Sequence, residues 1–210
     1  MEVEPMEIAL HKVSKRFRFE WIFKNIDYTF QTGQAYAILG PNGTGKSTLL
    51  KILSGHLTPS KGKIEFLVAG QKLDPDRVYQ KISYAAPYIE LIEELTLKEA
   101  IDFHRRFKTL LDGLDANALI ELLGFQSSID KEIKYFSSGM KQRLKLVLAI
   151  CSDCPILLLD EPTTNLDEEG MEWYHHLIKR FGHQRLIIIA SNLSSDYTFC
   201  QEQLHILDYK

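Results

Sequence analysis

Gly40-Pro41-Asn42-Gly43-Thr44-Gly45-Lys46-Ser47-Thr48 fits the spacing G-x-x-x-x-G-K-[ST], in which backbone N–H groups cradle a phosphate. Glycines at 40, 43 and 45 free the backbone to turn successive N–H groups inward around an anion. Lys46 is of a length to reach β- and γ-phosphates, and the Ser47 hydroxyl is a ligand for Mg²⁺. The surroundings agree with this reading. Ala35 to Leu39 reads as a short buried strand, and Ser47 to Leu53 as a helix that Ser54-Gly55 can end. A phosphate held here would meet a helix N-terminus, where the dipole and unpaired N–H groups favour negative charge. The flanking strand and helix separate the pattern from an ordinary glycine turn.

The chain has 210 residues, enough for one domain with a sizeable core or a domain with a modest insertion. At 45 % hydrophobic and 25 % charged, it has the composition of a globular protein with a water-facing surface. The formal net charge of −3 offers no basic stripe for nucleic acid, and Arg105-Arg106 reads as a solvated helix face. Apolar runs such as Ile156–Leu159 and Leu186–Ala190 fall far short of the roughly 20 residues of a spanning helix. Met1-Glu2-Val3-Glu4 is acidic and lacks a signal-peptide core. Work at a membrane would therefore need a partner to hold the chain there. Three cysteines, an odd count, argue against a disulfide framework. Cys151 and Cys154 form a lone C-x-x-C between an apolar helix and an apolar strand, which reads as small-residue packing. His175-His176 belongs to a surface helix.

The first third is β-rich. Ile26, Tyr28 and Phe30 share one face of an alternating run, as do Ile64, Phe66 and Val68. These strands read as half-buried and antiparallel. From about 96 to 150 the pattern turns helical. Thr96 and Glu99 make a capping box ahead of Ala100, Ile101, Phe103 and Phe107. Leu119, Leu122 and Leu123 give a second stripe closed by Gly124, and Met140, Leu144, Val147 and Leu148 a third. The last third returns to α/β. Ile156–Asp160 and Leu186–Ala190 read as parallel strands buried on both faces, with a helix at about 168–181 between them.

Ile156-Leu157-Leu158-Leu159-Asp160-Glu161-Pro162 is an apolar strand that ends in two carboxylates. A parallel strand delivers its last side chains to the sheet edge where the phosphate loop also lies. Asp160 is placed to hold Mg²⁺, usually through water, and Glu161 to polarise an attacking water as general base. Upstream, Ser137 and Ser138 can cap a helix that begins near Gly139. The same helix N-terminus suits a phosphate.

These segments, in this order and spacing, resemble the ATP-binding cassette (ABC) ATPases nearly end to end. Gly40–Thr48 is similar to the family's Walker A loop, and Ile156–Glu161 to Walker B with the catalytic glutamate. Phe136–Arg143 resembles the signature L-S-G-G-[QM]-x-[QR]-[RK], with Phe136 for Leu and Ser138 for the first Gly. Thr164-Asn165-Leu166-Asp167 resembles the D-loop. Phe17 is similar to the aromatic that stacks on adenine, with Phe19 and Trp21 as rivals. Two positions depart from the pattern. Pro87 stands where the family usually has its Q-loop glutamine, and Asn192, after the strand Leu186–Ala190, where it has its switch histidine. Asn can donate one hydrogen bond to a γ-phosphate but cannot carry a positive charge.

The resemblance implies an α/β fold: a P-loop NTPase (RecA-like) core with an N-terminal antiparallel β-subdomain and an inserted helical subdomain. The expected organisation is one domain over 1–210, with the core at about 1–87 and 151–210 and the helical part at about 88–150. It implies ATP and Mg²⁺ as cofactors, with Gly40, Pro41, Asn42, Gly43, Thr44, Gly45, Lys46, Ser47 and Thr48 on the nucleotide. Ser137, Ser138, Gly139 and Asp167 would complete the site, Ser47 and Asp160 would hold the metal, and Glu161 and Asn192 would serve catalysis. It further implies a head-to-tail dimer with itself or a similar cassette, clamping two Mg-ATP, and an integral membrane permease as partner. The expected location is cytoplasmic, peripheral on the membrane face, with no nucleic acid bound. The signature form and the absence of a C-terminal regulatory domain look more like exporter than importer cassettes. A non-transport ABC protein and an ATP-binding switch with little hydrolysis are the alternatives, and Pro87 and Asn192 favour the second.

Overall fold

The computed structural model describes residues 5–210; the reading of the acidic stretch at 1–4 lies outside the described residues. The chain forms two compact units, one from 1–84, 155–161 and 184–210, the other from 85–154 and 162–183.

The first unit holds two sheets. β1 (Met6–Phe17), β2 (Glu20–Gln31), β4 (Lys61–Val68) and the short β5 (Gln71–Lys72) form an antiparallel sheet in the order β2-β1-β4-β5. The second sheet has the order β6-β7-β8-β3-β9, built from β3 (Ala35–Leu39), β6 (Ile82–Ala85), β7 (Ile156–Asp160), β8 (Leu186–Ala190) and β9 (Glu202–His205). Its β7-β8, β8-β3 and β3-β9 pairs are parallel. Every residue of β7 and β8 is buried, as continuous apolar runs covered on both faces require. Helix α1 (Lys46–Leu53) follows β3 and buries Leu49, Leu50, Ile52 and Leu53 in one core with side chains of both sheets. Four such side chains fully withdrawn from water contribute on the order of 8 kcal/mol before entropy is subtracted. A one-turn helix, α2 (Val78–Lys81), leads into β6.

β1 extends well beyond any alternating stretch of its sequence. Register shifts break it between Leu10 and Val13, Val13 and Lys15, and Lys15 and Arg16. Each bulge turns following side chains to the other face and hides the two-residue period.

The second unit is helical. α3 (Leu97–Arg105) starts with Thr96 and Glu99 in a reciprocal capping box, as expected. It ends at Arg105, so Phe103 and Phe107 lie exposed with rings 5.1 Å apart and do not continue the buried stripe. α4 (Ala116–Leu123) is closed by Gly124 in the left-handed region. α5 (Ser138–Ile150) buries Leu144, Val147 and Leu148, and α6 (Glu168–Phe181) buries Tyr174, Leu177 and Ile178. Cys151 and Cys154 are buried free thiols.

Candidate nucleotide site

β3 feeds the glycine-rich loop, and Gly45, left-handed at φ 109°, is the residue before α1. A Cβ there would come 2.3 Å from Ile22 Cγ2, and one on Gly40 would come 2.6 Å from Ile206 Cγ2. Both positions therefore need glycine for space as well as for backbone angle. Thr44 braces the loop, its Oγ1 donating to Pro41 O at 2.7 Å. Ile22, Asn42, Gly43, Lys46, Ser47 and Glu161 are among the residues lining an open cleft of about 240 Å³.

Lys46 is buried. Its ammonium donates to Gly40 O at 2.7 Å, Pro41 O at 3.3 Å and Asn192 Oδ1 at 3.0 Å. Burial lowers its pKa, and the carboxylates of Glu161 and Asp160 push it back up. Those acids close β7, Asp160 buried at the strand's end and Glu161 one residue beyond. Glu161 is left-handed at φ 42°, an uncommon conformation for a non-glycine residue, and its N–H donates to Ala190 O at 2.8 Å. Ser47 and Asp160 offer the hard oxygen donors that suit Mg²⁺. One unit thus brings together 40–48, Asp160, Glu161 and Asn192. The link from Asn192 to Lys46 and to Asn42, whose Oδ1 accepts from Asn192 Nδ2, has no signal in the sequence.

The three aromatic candidates have different surroundings. A Cβ on Gly45 would meet Ile22 and the Phe23 ring, so both point there. Phe23 pairs across the ladder with Lys15, and paired residues share a face. The Lys15 ammonium lies 5.2 Å from the Phe17 centroid, and Phe17 is half exposed. Trp21 pairs with Arg16 and is taken by two cations, Arg16 at 5.6 Å and Lys61 at 5.4 Å. Phe19 stands 97 % exposed at the hairpin turn.

The second unit carries the serine-rich segment. Ser137 caps α5, its Oγ accepting from Met140 N at 3.2 Å. A Cβ on Gly139 would lie 3.0 Å from Asn165 O, so the loop before α6 closes tightly on this helix start. Asp167 caps α6 by accepting from Gly170 N at 2.8 Å. Ser137, Ser138, Gly139 and Asp167 line one cleft of about 340 Å³. Arg143, also on that cleft, is a residue the sequence reading gave no role. Its guanidinium stacks 4.6 Å from Trp173 and 5.4 Å from Phe125. The Pro87 carbonyl accepts from Lys145 Nζ at 2.8 Å.

A family model described as ABC transporter matches residues 23–164. An ABC transporter ATP-binding protein of Bacillus subtilis, YybJ, is 31 % identical over 193 residues, covering 90 % of this chain and 87 % of its own. The lantibiotic transport ATP-binding protein SrtF of Streptococcus pyogenes is 31 % identical over 195 residues, covering 90 % and 81 %. Nod factor export ATP-binding protein I of Rhizobium leguminosarum is 32 % identical over 179 residues, and the match spans 56 % of its length. Among solved structures, a putative ABC transporter ATP-binding protein from Pyrococcus furiosus superposes with TM-score 0.80 at 21 % identity, covering 97 % and 99 %. A dimeric ATP-binding cassette in a post-hydrolysis state with ADP and phosphate superposes with TM-score 0.79 at 23 % identity, covering 94 % and 93 %. The fold and the sequence matches together establish that this chain belongs to the ABC transporter family, as an ATP-binding cassette.

Proposed function

We propose that this cassette hydrolyses Mg-ATP to power an ABC transporter, an exporter, through ATP-dependent head-to-tail dimerisation. The observation that carries the reading is electrostatic. Burial lowers the pKa of the phosphate-loop lysine, the strand-end carboxylates Glu161 and Asp160 lie near enough to oppose that shift, and Glu161 lines the same open cleft as Lys46. A loop that holds phosphate therefore stands beside an acid able to take a proton from water. Lys46 and the loop N–H groups bind and orient the phosphates, and Glu161 accepts the proton of the attacking water. Ser47 and Asp160 would hold Mg²⁺, which neutralises developing phosphate charge. Ser137–Gly139 of a second copy would close the site, with Asp167 nearby. No helix among the described residues is long and apolar enough to cross a membrane. The proposed partner in transport is an integral membrane permease. The relatives named for lantibiotic transport and Nod factor export support the exporter reading. The proposed location is the cytoplasmic face of a membrane.

Phe17 is proposed as the adenine-stacking ring. Phe17→Ala should weaken Mg-ATP binding about fivefold to tenfold, while Trp21→Ala changes it by less than about twofold. Fluorescent-nucleotide titration distinguishes them, and the reverse ranking would give the role to Trp21.

Asn192 favours a second reading, an ATP-binding switch with little hydrolysis. A neutral amide gives a bond about half as strong as a charge-assisted one, and about 1.4 kcal/mol less transition-state stabilisation is a tenfold slower step. Basal turnover of the isolated chain should be slow. Asn192→His should raise it several-fold and Asn192→Ala lower it. Steady-state phosphate release from the three proteins is the test. Equal rates would mean residue 192 has no part in the chemistry, and no release from any of them would leave the switch.

A further inference from the structure

Asn192 follows β8 on a turn held by its neighbours. Ser191 Oγ donates to the buried Asp196 Oδ2 at 2.5 Å and accepts from Leu193 N at 3.0 Å. From this fixed backbone the Asn192 side chain spans two parts of the phosphate loop. Its Oδ1 accepts from Lys46 Nζ at 3.0 Å, and its Nδ2 donates to Asn42 Oδ1. The orientation follows from chemistry. An ammonium offers donors only, so the amide atom facing Lys46 is oxygen.

An ammonium has three protons. Here they meet Gly40 O, Pro41 O and Asn192 Oδ1, so protein acceptors engage all three. A phosphate oxygen reaches Lys46 only by displacing one acceptor. Two of them are backbone carbonyls of the loop itself. The third belongs to a side-chain amide that can turn about one bond.

We propose that Asn192 is a reversible stopper of the phosphate loop, whose amide oxygen competes with phosphate for Lys46 and whose amide nitrogen, turned round, donates to the terminal phosphate of a triphosphate. This rests on the reading of the loop as the ATP site. A carboxamide suits the task because it carries an acceptor and a donor on one rotatable group. With a diphosphate, Lys46 still has to release Asn192, but Asn192 gains no γ-phosphate in return. Asn192 therefore acts as a positioning and selectivity residue that holds ADP affinity down relative to ATP. Asn42 can follow the turn, since its own amide can reverse the direction of the bond between them.

The test is calorimetric titration of the whole chain with Mg-ADP and with the Mg complex of a non-hydrolysable β,γ-imido ATP analogue. Asn192→Ala removes the stopper, so ADP should bind about three- to tenfold tighter, because the free protein is no longer held in the occupied form. The triphosphate analogue should gain less, since the competitor and the γ-phosphate donor are lost together. Asn192→Asp keeps the acceptor, adds charge and removes the donor, so both ligands should weaken about tenfold or more. A loss of mere structural support would weaken ADP in both variants. Unchanged or weaker ADP binding to Asn192→Ala, or an equal gain for both ligands, overturns the stopper alone provided Lys46→Ala still abolishes tight binding. Parental affinity in Lys46→Ala would overturn the phosphate-loop reading and the stopper with it.

Discussion

Glu161→Gln is expected to slow ATP hydrolysis about a hundredfold or more while Mg-ATP remains bound, because the amide keeps the carboxylate's shape and loses its basicity. The left-handed backbone at this position, φ 42°, is no more strained for Gln than for Glu. With the chemical step stopped, ATP should stay between two copies and an ATP-dependent dimer should accumulate, seen by size-exclusion chromatography with and without Mg-ATP. Ser137→Arg in the same background should abolish that dimer by filling the facing surface. Ser137 also caps α5, and loss of that cap costs about 1 kcal/mol by itself. Ser137→Ala is therefore the matched control: it loses the cap without the bulk and should retain a dimer. Hydrolysis by Glu161→Gln at the parental rate would place the base elsewhere.

Lys46→Ala is expected to weaken Mg-ATP binding by about tenfold or more, measured by calorimetry. The buried ammonium is the point charge of the cleft, and no other cation is among the residues that line it. The substitution also leaves Gly40 O, Pro41 O and Asn192 Oδ1 without their donor. Lys46→Met, which keeps the stem and only loses the charge, separates the two effects. Comparable affinity losses in both variants would assign the binding to the charge, and parental affinity in either would remove Lys46 from the phosphate site.

What could be read in the sequence was what repeats locally. β3, β7 and β8 were legible at 35–39, 156–160 and 186–190, because strands covered on both faces are unbroken apolar runs. α6 was legible at 168–181 because its apolar positions recur at helical spacing. β1 was not, because three register shifts scramble its alternation, and Lys12 takes a left-handed turn within it. Phe103 and Phe107 kept helical spacing on paper, but the helix stops before the second ring and neither is buried.

The candidate site divides the same way. The phosphate loop is a backbone motif, so glycine spacing announces it. The strand-end acids are announced by the apolar run that carries them. The surroundings of Phe17, Phe19 and Trp21 depend on the register shift between Lys15 and Arg16, which no local pattern in the sequence announces. The bridge from Asn192 to Lys46 and Asn42 joins positions some 150 residues apart in the chain, and no local pattern encodes it.

The central claim is that this chain hydrolyses ATP with Glu161 as base beside the phosphate loop. Single-turnover hydrolysis tests it most directly, with protein in excess over γ-labelled ATP, Mg²⁺ present, and the parental chain compared with Glu161→Gln. The account predicts slow, complete phosphate release from the parental chain, and bound, intact ATP on Glu161→Gln over the same interval. Equal release from both proteins, or bound ATP that the parental chain never cleaves, would contradict it.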